Sequence, residues 1–91
     1  MVERRVVVRL PEGIHARPAA QLAQLAAEFA ATVHLCRDSL VVDARSALGI
    51  LSLAAECGAE LLIRAEGPDA HEAVEHIAAF LQGGQQVRRE R

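Results

Sequence analysis

Val6, Val8 and Leu10 fall on one side of an alternation whose other side holds Val7 and Arg9, the period of two that a half-buried strand shows. This predicts a strand over residues 2–9, broken by Pro11-Glu12-Gly13. From Ala16 to Ala31 the period becomes that of a helix. Ala19, Leu22, Ala23, Ala26 and Phe29 or Ala30 share one face, and nearly every residue favours helix. Val33 and Leu35 start a second alternation, Asp38-Ser39 has turn chemistry, and Leu40-Val41-Val42 returns as a third strand. Ser46 then opens a short apolar helix, as its N-cap, running to about Leu53, and Gly58 closes that region. Leu61, Ile63 and Ala65 alternate with Glu60, Leu62, Arg64 and Glu66 in a fourth strand. Gly67-Pro68-Asp69 turns the chain, with Asp69 as N-cap and Glu72 as its capping-box partner. Ala70, Val74, Ile77 and Leu81 form the inner stripe of a last helix, which Gly83-Gly84 stops.

The order is β-α-β-β-α-β-α, with strands two and three as a hairpin. All the helices need one common apolar surface, so the expected class is α+β: a single sheet with helices on one face. Residues 1–84 are expected to form one domain and residues 85–91 a flexible polar tail.

Composition narrows the chemistry. Eighteen alanines against two phenylalanines mean a core of small pieces, and 91 residues suffice for one core only. The net charge is -2 with signs interspersed, which leaves no nucleic-acid footprint, and two aromatics offer little for base stacking. No stretch approaches the ~20 apolar residues of a membrane span, and the start of the chain lacks a signal-peptide core, so a cytoplasmic location without membrane insertion is expected. Cys36 and Cys57 have neither Cys-x-x-Cys spacing nor partners for a disulfide framework; both read as reduced, small apolar fillers. His34, His71 and His76 do not complete a metal-ligand spacing, so neither metal nor cofactor is expected.

The octet Gly13-Ile14-His15-Ala16-Arg17-Pro18-Ala19-Ala20 carries the strongest chemical signal. His15 stands where an extended segment gives way to a helix, whose first amides are unpartnered and carry partial positive charge. Arg17 adds a planar fork suited to phosphate. Pro18 gives up only an N–H that the first turn leaves unpaired. An imidazole with an ordinary pKa near ~6.5 is a neutral nucleophile at cytoplasmic pH. The combination points to a phosphoryl group carried on His15 and steadied by Arg17. The bland alternatives are a helix-capping histidine and a solvated arginine, though a cation in the first turn opposes the helix dipole and asks for a reason.

Three motifs, Gly13 to Ala19, Arg45-Ser46-Ala47-Leu48-Gly49-Ile50-Leu51-Ser52-Leu53, and Gly58 with Glu66-Gly67 and Glu72-Ala73-Val74, occur in order over about residues 6–82. On these the chain resembles the HPr family, the histidine-containing phosphocarriers of the bacterial phosphoenolpyruvate-dependent sugar phosphotransferase system. The resemblance implies an open-faced β-sandwich, four antiparallel strands in the order 1-4-2-3 with three helices on one face. It implies a monomeric, non-enzymatic carrier in which His15 accepts phosphate at Nδ1 from enzyme I and passes it to enzyme IIA. It implies Arg17 as the phosphate-stabilising residue and Ser46 as a regulatory site for an HPr kinase/phosphorylase, a role that stands beside simple N-capping. Ala20, Arg45, Ala47, Leu48 and Leu51 are the implied docking residues. Gln24 and Ala27 stand where family members often carry lysine, Arg45 replaces a usual lysine, and Ala54 replaces a common glycine. Two rivals remain: a nitrogen-branch regulatory carrier with the same site, and a small-molecule-binding regulatory module of ferredoxin-like βαββαβ type in which His15 only caps a helix.

Overall fold

The alternations become one antiparallel sheet. In the computed structural model, which describes residues 1–84, the elements are β1 (Val2–Val7), α1 (Ala16–Ala27), β2 (Thr32–Arg37), β3 (Leu40–Asp43), α2 (Ala47–Ser52), β4 (Glu60–Glu66) and α3 (Ala70–Leu81). The strand order is β1-β4-β2-β3, every pair antiparallel. Register puts the apolar phase of each strand on one face. Val6 lies opposite Leu61, Leu35 opposite both Ile63 and Val42, and Val33 opposite Ala65. All seven side chains are buried, in one cluster with Leu22 of α1, Ile50 of α2 and Ile77 and Leu81 of α3. The chain is an open-faced β-sandwich with the expected element order and sheet order.

The boundaries differ from the periodicity in two places. Strand β1 ends at Val7: the Val8 N–H still meets the Ala59 carbonyl at 2.8 Å, but the Ala59 N–H turns to the Glu56 carbonyl and the Arg9 N–H to that of Leu81 at 2.8 Å. Helix α1 stops at Ala27 instead of running to Ala31. Its last turn tightens, with Glu28 N–H bonding the Leu25 carbonyl and Phe29 N–H that of Ala26. The next amides, Ala30 and Ala31, donate to the two carboxylate oxygens of Asp69 at 2.9 and 2.8 Å.

That pair of bonds also corrects the expected capping box. Asp69 occupies the N-cap position of α3, but its side chain accepts no bond from that helix; it reaches back to the end of α1. The chain comes close enough there that a methyl on Gly67 would stand 2.7 Å from the Ala31 Cα. The cysteines divide. Cys36 is buried, as expected of a filler, on the sheet face away from the helices, opposite Leu62 and Val41. Cys57 is exposed, contrary to expectation, since it stands in the turn between α2 and β4, outside the alternation that buries strand residues. The expected tail over residues 85–91 lies outside the described residues.

The Ala30 amide, with that of Ala31, holds the Asp69 carboxyl below the ordinary aspartate value of 3.8. A lowered folded-state pKa stabilises fully above the unfolded value and is lost as pH falls through the folded one. Asp69→Asn is therefore expected to melt below the parent at neutral pH, with the gap narrowing once pH drops beneath 3.8. Thermal melts across that range check it; a gap constant down to about pH 2 contradicts it.

Candidate functional site

The site begins with a backbone contact. Gly13, at φ +72°, closes a turn in which its N–H donates to the Leu10 carbonyl at 2.9 Å. A side chain there would collide with the loop that follows α2, because a Cβ would sit 2.8 Å from the Ala55 carbonyl oxygen. Ile14 then buries its side chain and donates its N–H to that same carbonyl at 2.9 Å. His15 comes next, extended at φ -102° and ψ -168°, in the N-cap position of α1.

The first helical bond runs from Ala19 N–H to the His15 carbonyl at 3.0 Å. The amides of Ala16 and Arg17 precede it, without partners inside the helix, and Pro18 has no N–H to leave over. The imidazole caps none of these amides, so the purely capping reading of His15 does not describe its ring. The ring is 52% exposed, and its Nε2 lies 3.9 Å from a Glu12 carboxylate oxygen. Arg17 is exposed in the same first turn. An accessible imidazole, the first two amides of α1 and an exposed arginine therefore belong to one helix start, groups of the kind that bind anions.

The second wall is α2 and its trailing loop. Ser46 caps α2 as expected, its Oγ accepting from the Gly49 N–H at 2.9 Å. Arg45 is held by Asp43, whose Oδ1 accepts the Arg45 N–H at 2.8 Å and lies 3.7 Å from Nε. Leu48 is 81% exposed, Ala20 is exposed, and Ala47 and Leu51 are half-buried. The Ile14–Ala55 bond brings His15 to the C-terminal end of α2, whereas Arg45 and Ser46 stand at its N-terminal end. The six residues between them span about 9 Å.

Sequence reasoning missed Arg37. It is the last residue of β2, in phase with the buried Val33 and Leu35, and a charge in the apolar phase of an alternation was the available signal. Its guanidinium donates to the Leu53 and Ala54 carbonyls and pairs with Glu56. The Glu56 carboxyl is held below its usual range by its own backbone amide first and by the Arg37 charge second. His76, by contrast, packs its ring against Phe29 at 5.5 Å with Nδ1 2.9 Å from the Glu72 carbonyl, a local structural role. Among the described residues, no three His, Cys, Asp or Glu side chains are grouped to hold a metal ion.

An open-faced sandwich with an accessible histidine at the start of its first helix defines the class. A family model described as "PTS HPr component phosphorylation site" matches residues 2–83. The phosphocarrier protein HPr of Treponema pallidum is 42% identical over 82 residues, 90% of this chain and 93% of its own. A crystal structure of HPr from Bacillus anthracis superposes with a TM-score of 0.86 at 44% identity, covering 89% of this chain and 96% of that one. The crystal structure of Crh, a Bacillus subtilis catabolite-repression protein described as a domain-swapped dimer, gives 0.75 at 42% identity, covering 98% and 100%. The chain belongs to the HPr family of phosphotransferase-system phosphocarriers.

Ala54, at φ +51°, holds a left-handed conformation that suits glycine. Ala54→Gly is expected to raise stability by about 0.5–1 kcal/mol, the relief of the Cβ clash outweighing the added chain entropy. Urea unfolding checks the sign; a loss of stability contradicts it.

Proposed function

We propose that this chain relays a phosphoryl group from phosphorylated enzyme I to the enzyme IIA domain of a sugar permease, carrying it on Nδ1 of His15. The reading rests on the exposed His15 ring at the start of α1, with Arg17 in the same turn. The nearby Glu12 carboxylate favours the proton on Nε2 and leaves the Nδ1 lone pair free. In acceptance, the bond from phosphorus to enzyme I breaks as a bond to Nδ1 forms. The Ala16 and Arg17 amides and the Arg17 guanidinium take up the charge of the phosphoryl oxygens. The ring turns cationic as it attacks, and Glu12 offsets that charge until the Nε2 proton passes to water. Delivery to enzyme IIA is the reverse.

In this reading the chain is one covalent intermediate between two enzymes rather than an enzyme itself. One copy suffices, since His15, Arg17 and the amides belong to a single helix start; the swapped dimer described for Crh belongs to that protein. A cytoplasmic location is part of the proposal, and no helix among the described residues is long and apolar enough to cross a membrane. The small-molecule module is not favoured, given a family match across residues 2–83, and no observation favours the nitrogen branch.

Incubation with phosphoenolpyruvate and enzyme I is expected to place one acid-labile phosphate on the chain. His15→Ala abolishes it without loss of fold, and Arg17→Lys, which keeps charge but loses the fork, slows transfer. Undiminished labelling of His15→Ala points instead to His34, His71 or His76 and refutes the proposal. Unchanged rates in Arg17→Lys assign the stabilisation to the backbone amides alone.

We further propose that Arg45, Ser46, Ala47, Leu48, Leu51 and Ala20 face enzyme I, and that an HPr kinase/phosphorylase acts on Ser46. Phosphate there adds a charge of about -2 at a helix start, where it is tolerated, but in a surface meant for acidic and apolar groups, where it is not. Ser46→Asp, which still caps, is expected to melt no lower than the parent and to accept phosphate more slowly. Parent-like rates would place Ser46 outside the docking surface.

A further inference from the structure

Arg37 stands outside the site just described, yet its guanidinium holds three points of the loop on which the His15 backbone rests. Nη1 donates to the Leu53 carbonyl at 3.1 Å and to that of Ala54 at 2.9 Å. Nη2 lies 3.2 and 3.4 Å from the two Glu56 carboxylate oxygens. Between those points sits Ala55, whose carbonyl accepts the Ile14 N–H and presses on Gly13. A continuous line of contacts thus runs from the end of β2 through Arg37, residues 53–56 and Ile14 to His15.

The loop needs an outside hold. The carbonyls at the end of a six-residue helix lack helical donors, and Ala54 bends the chain through a left-handed conformation without being glycine. A planar fork with several N–H groups reaches two carbonyls and a carboxylate at once, which an ammonium does not. The anchoring end is the last residue of β2, paired with Leu40 of β3, in a strand whose preceding residues also pair with β4.

We propose that Arg37 is a positioning residue for phosphoryl transfer: by fixing the 53–56 loop it fixes Gly13-Ile14, and so the place of His15 at the start of α1. The proposal rests on the reading that His15 takes the phosphoryl group. Among the described residues the side-chain hydrogen bonds and ion pair of Arg37 go to Leu53, Ala54 and Glu56, and none to His15, Arg17 or the docking residues, so it acts on how well the nucleophile is placed and not on how tightly a partner docks.

The test uses the full chain with Arg37→Met and Arg37→Lys. It measures kcat and KM for each as substrate of phosphorylated enzyme I, together with amide hydrogen exchange. Arg37→Met is expected to lower kcat by about tenfold with KM within about twofold, the scale of a small misplacement of a reacting group. Its Ile14 amide exchanges faster while Leu35 and Ile63 keep their protection, and Arg37→Lys recovers part of both losses. Parent-like kcat with parent-like Ile14 exchange overturns the proposal. So does a fall in kcat matched by equal loss of protection at Leu35 and Ile63, which marks general destabilisation. Should Arg37→Met fail to fold, Arg37→Lys decides: a smaller loss of kcat with faster Ile14 exchange supports the proposal, and parent values overturn it. A parent chain that enzyme I does not label refutes the phosphocarrier reading instead. In that case faster Ile14 exchange in Arg37→Met still upholds the placement of His15 by Arg37, and unchanged exchange overturns it.

Discussion

Three helices share the single apolar face of a four-stranded sheet, and they do so with small side chains. Ala19, Ala26, Ala44, Ala65, Ala73 and Ala78 are all but inaccessible, so backbones approach one another closely. Where two segments of main chain meet, even a methyl is too large: Gly13 lies against Ala55 and Gly67 against Ala31. The first of these approaches sets the site. It lets the Ile14 N–H reach the Ala55 carbonyl, so the residue that follows, His15, is delivered to the end of α2 with its ring outward. Dense packing of small groups thereby places an exposed functional group without burying it.

Charge does the complementary work at loop ends. Asp69 gathers two amides at the end of α1, and Arg37 gathers two carbonyls at the end of α2. Each is a single side chain satisfying backbone groups just past a helix end, and each comes from an element distant in sequence. Hydrophobic burial selects the layers; these two ions fix where the helices stop.

That division explains what the sequence disclosed. The strands, the Asp38-Ser39 turn and the Ser46 cap were legible because each depends on neighbours within a few residues. The octet from Gly13 was legible because His15, Arg17 and Pro18 are adjacent in the chain. The end of α1 was not, since it depends on a carboxylate 38 and 39 residues further on, which local pattern assigned to its own helix. Arg37 broke the apolar phase of its strand visibly, but what it holds was hidden for the same reason, its partners lying 16 to 19 residues away. Cys57 was misjudged because nothing in sequence says whether a turn is covered.

The strand order carries a consequence for the newly made chain. Strand β4 lies between β1 and β2, and among the described strands it is the last in chain order. Val2, at the start of β1, pairs with Ala65, so β1 has no partner in the sheet until Glu60–Glu66 has been made. The β2–β3 hairpin closes over a short span, but the central strand must be threaded between elements already in the cell. Contacts of such long sequence separation are slow to form. The nascent chain therefore leaves the ribosome with β1 unpaired, and its sheet assembles only once β4 has followed.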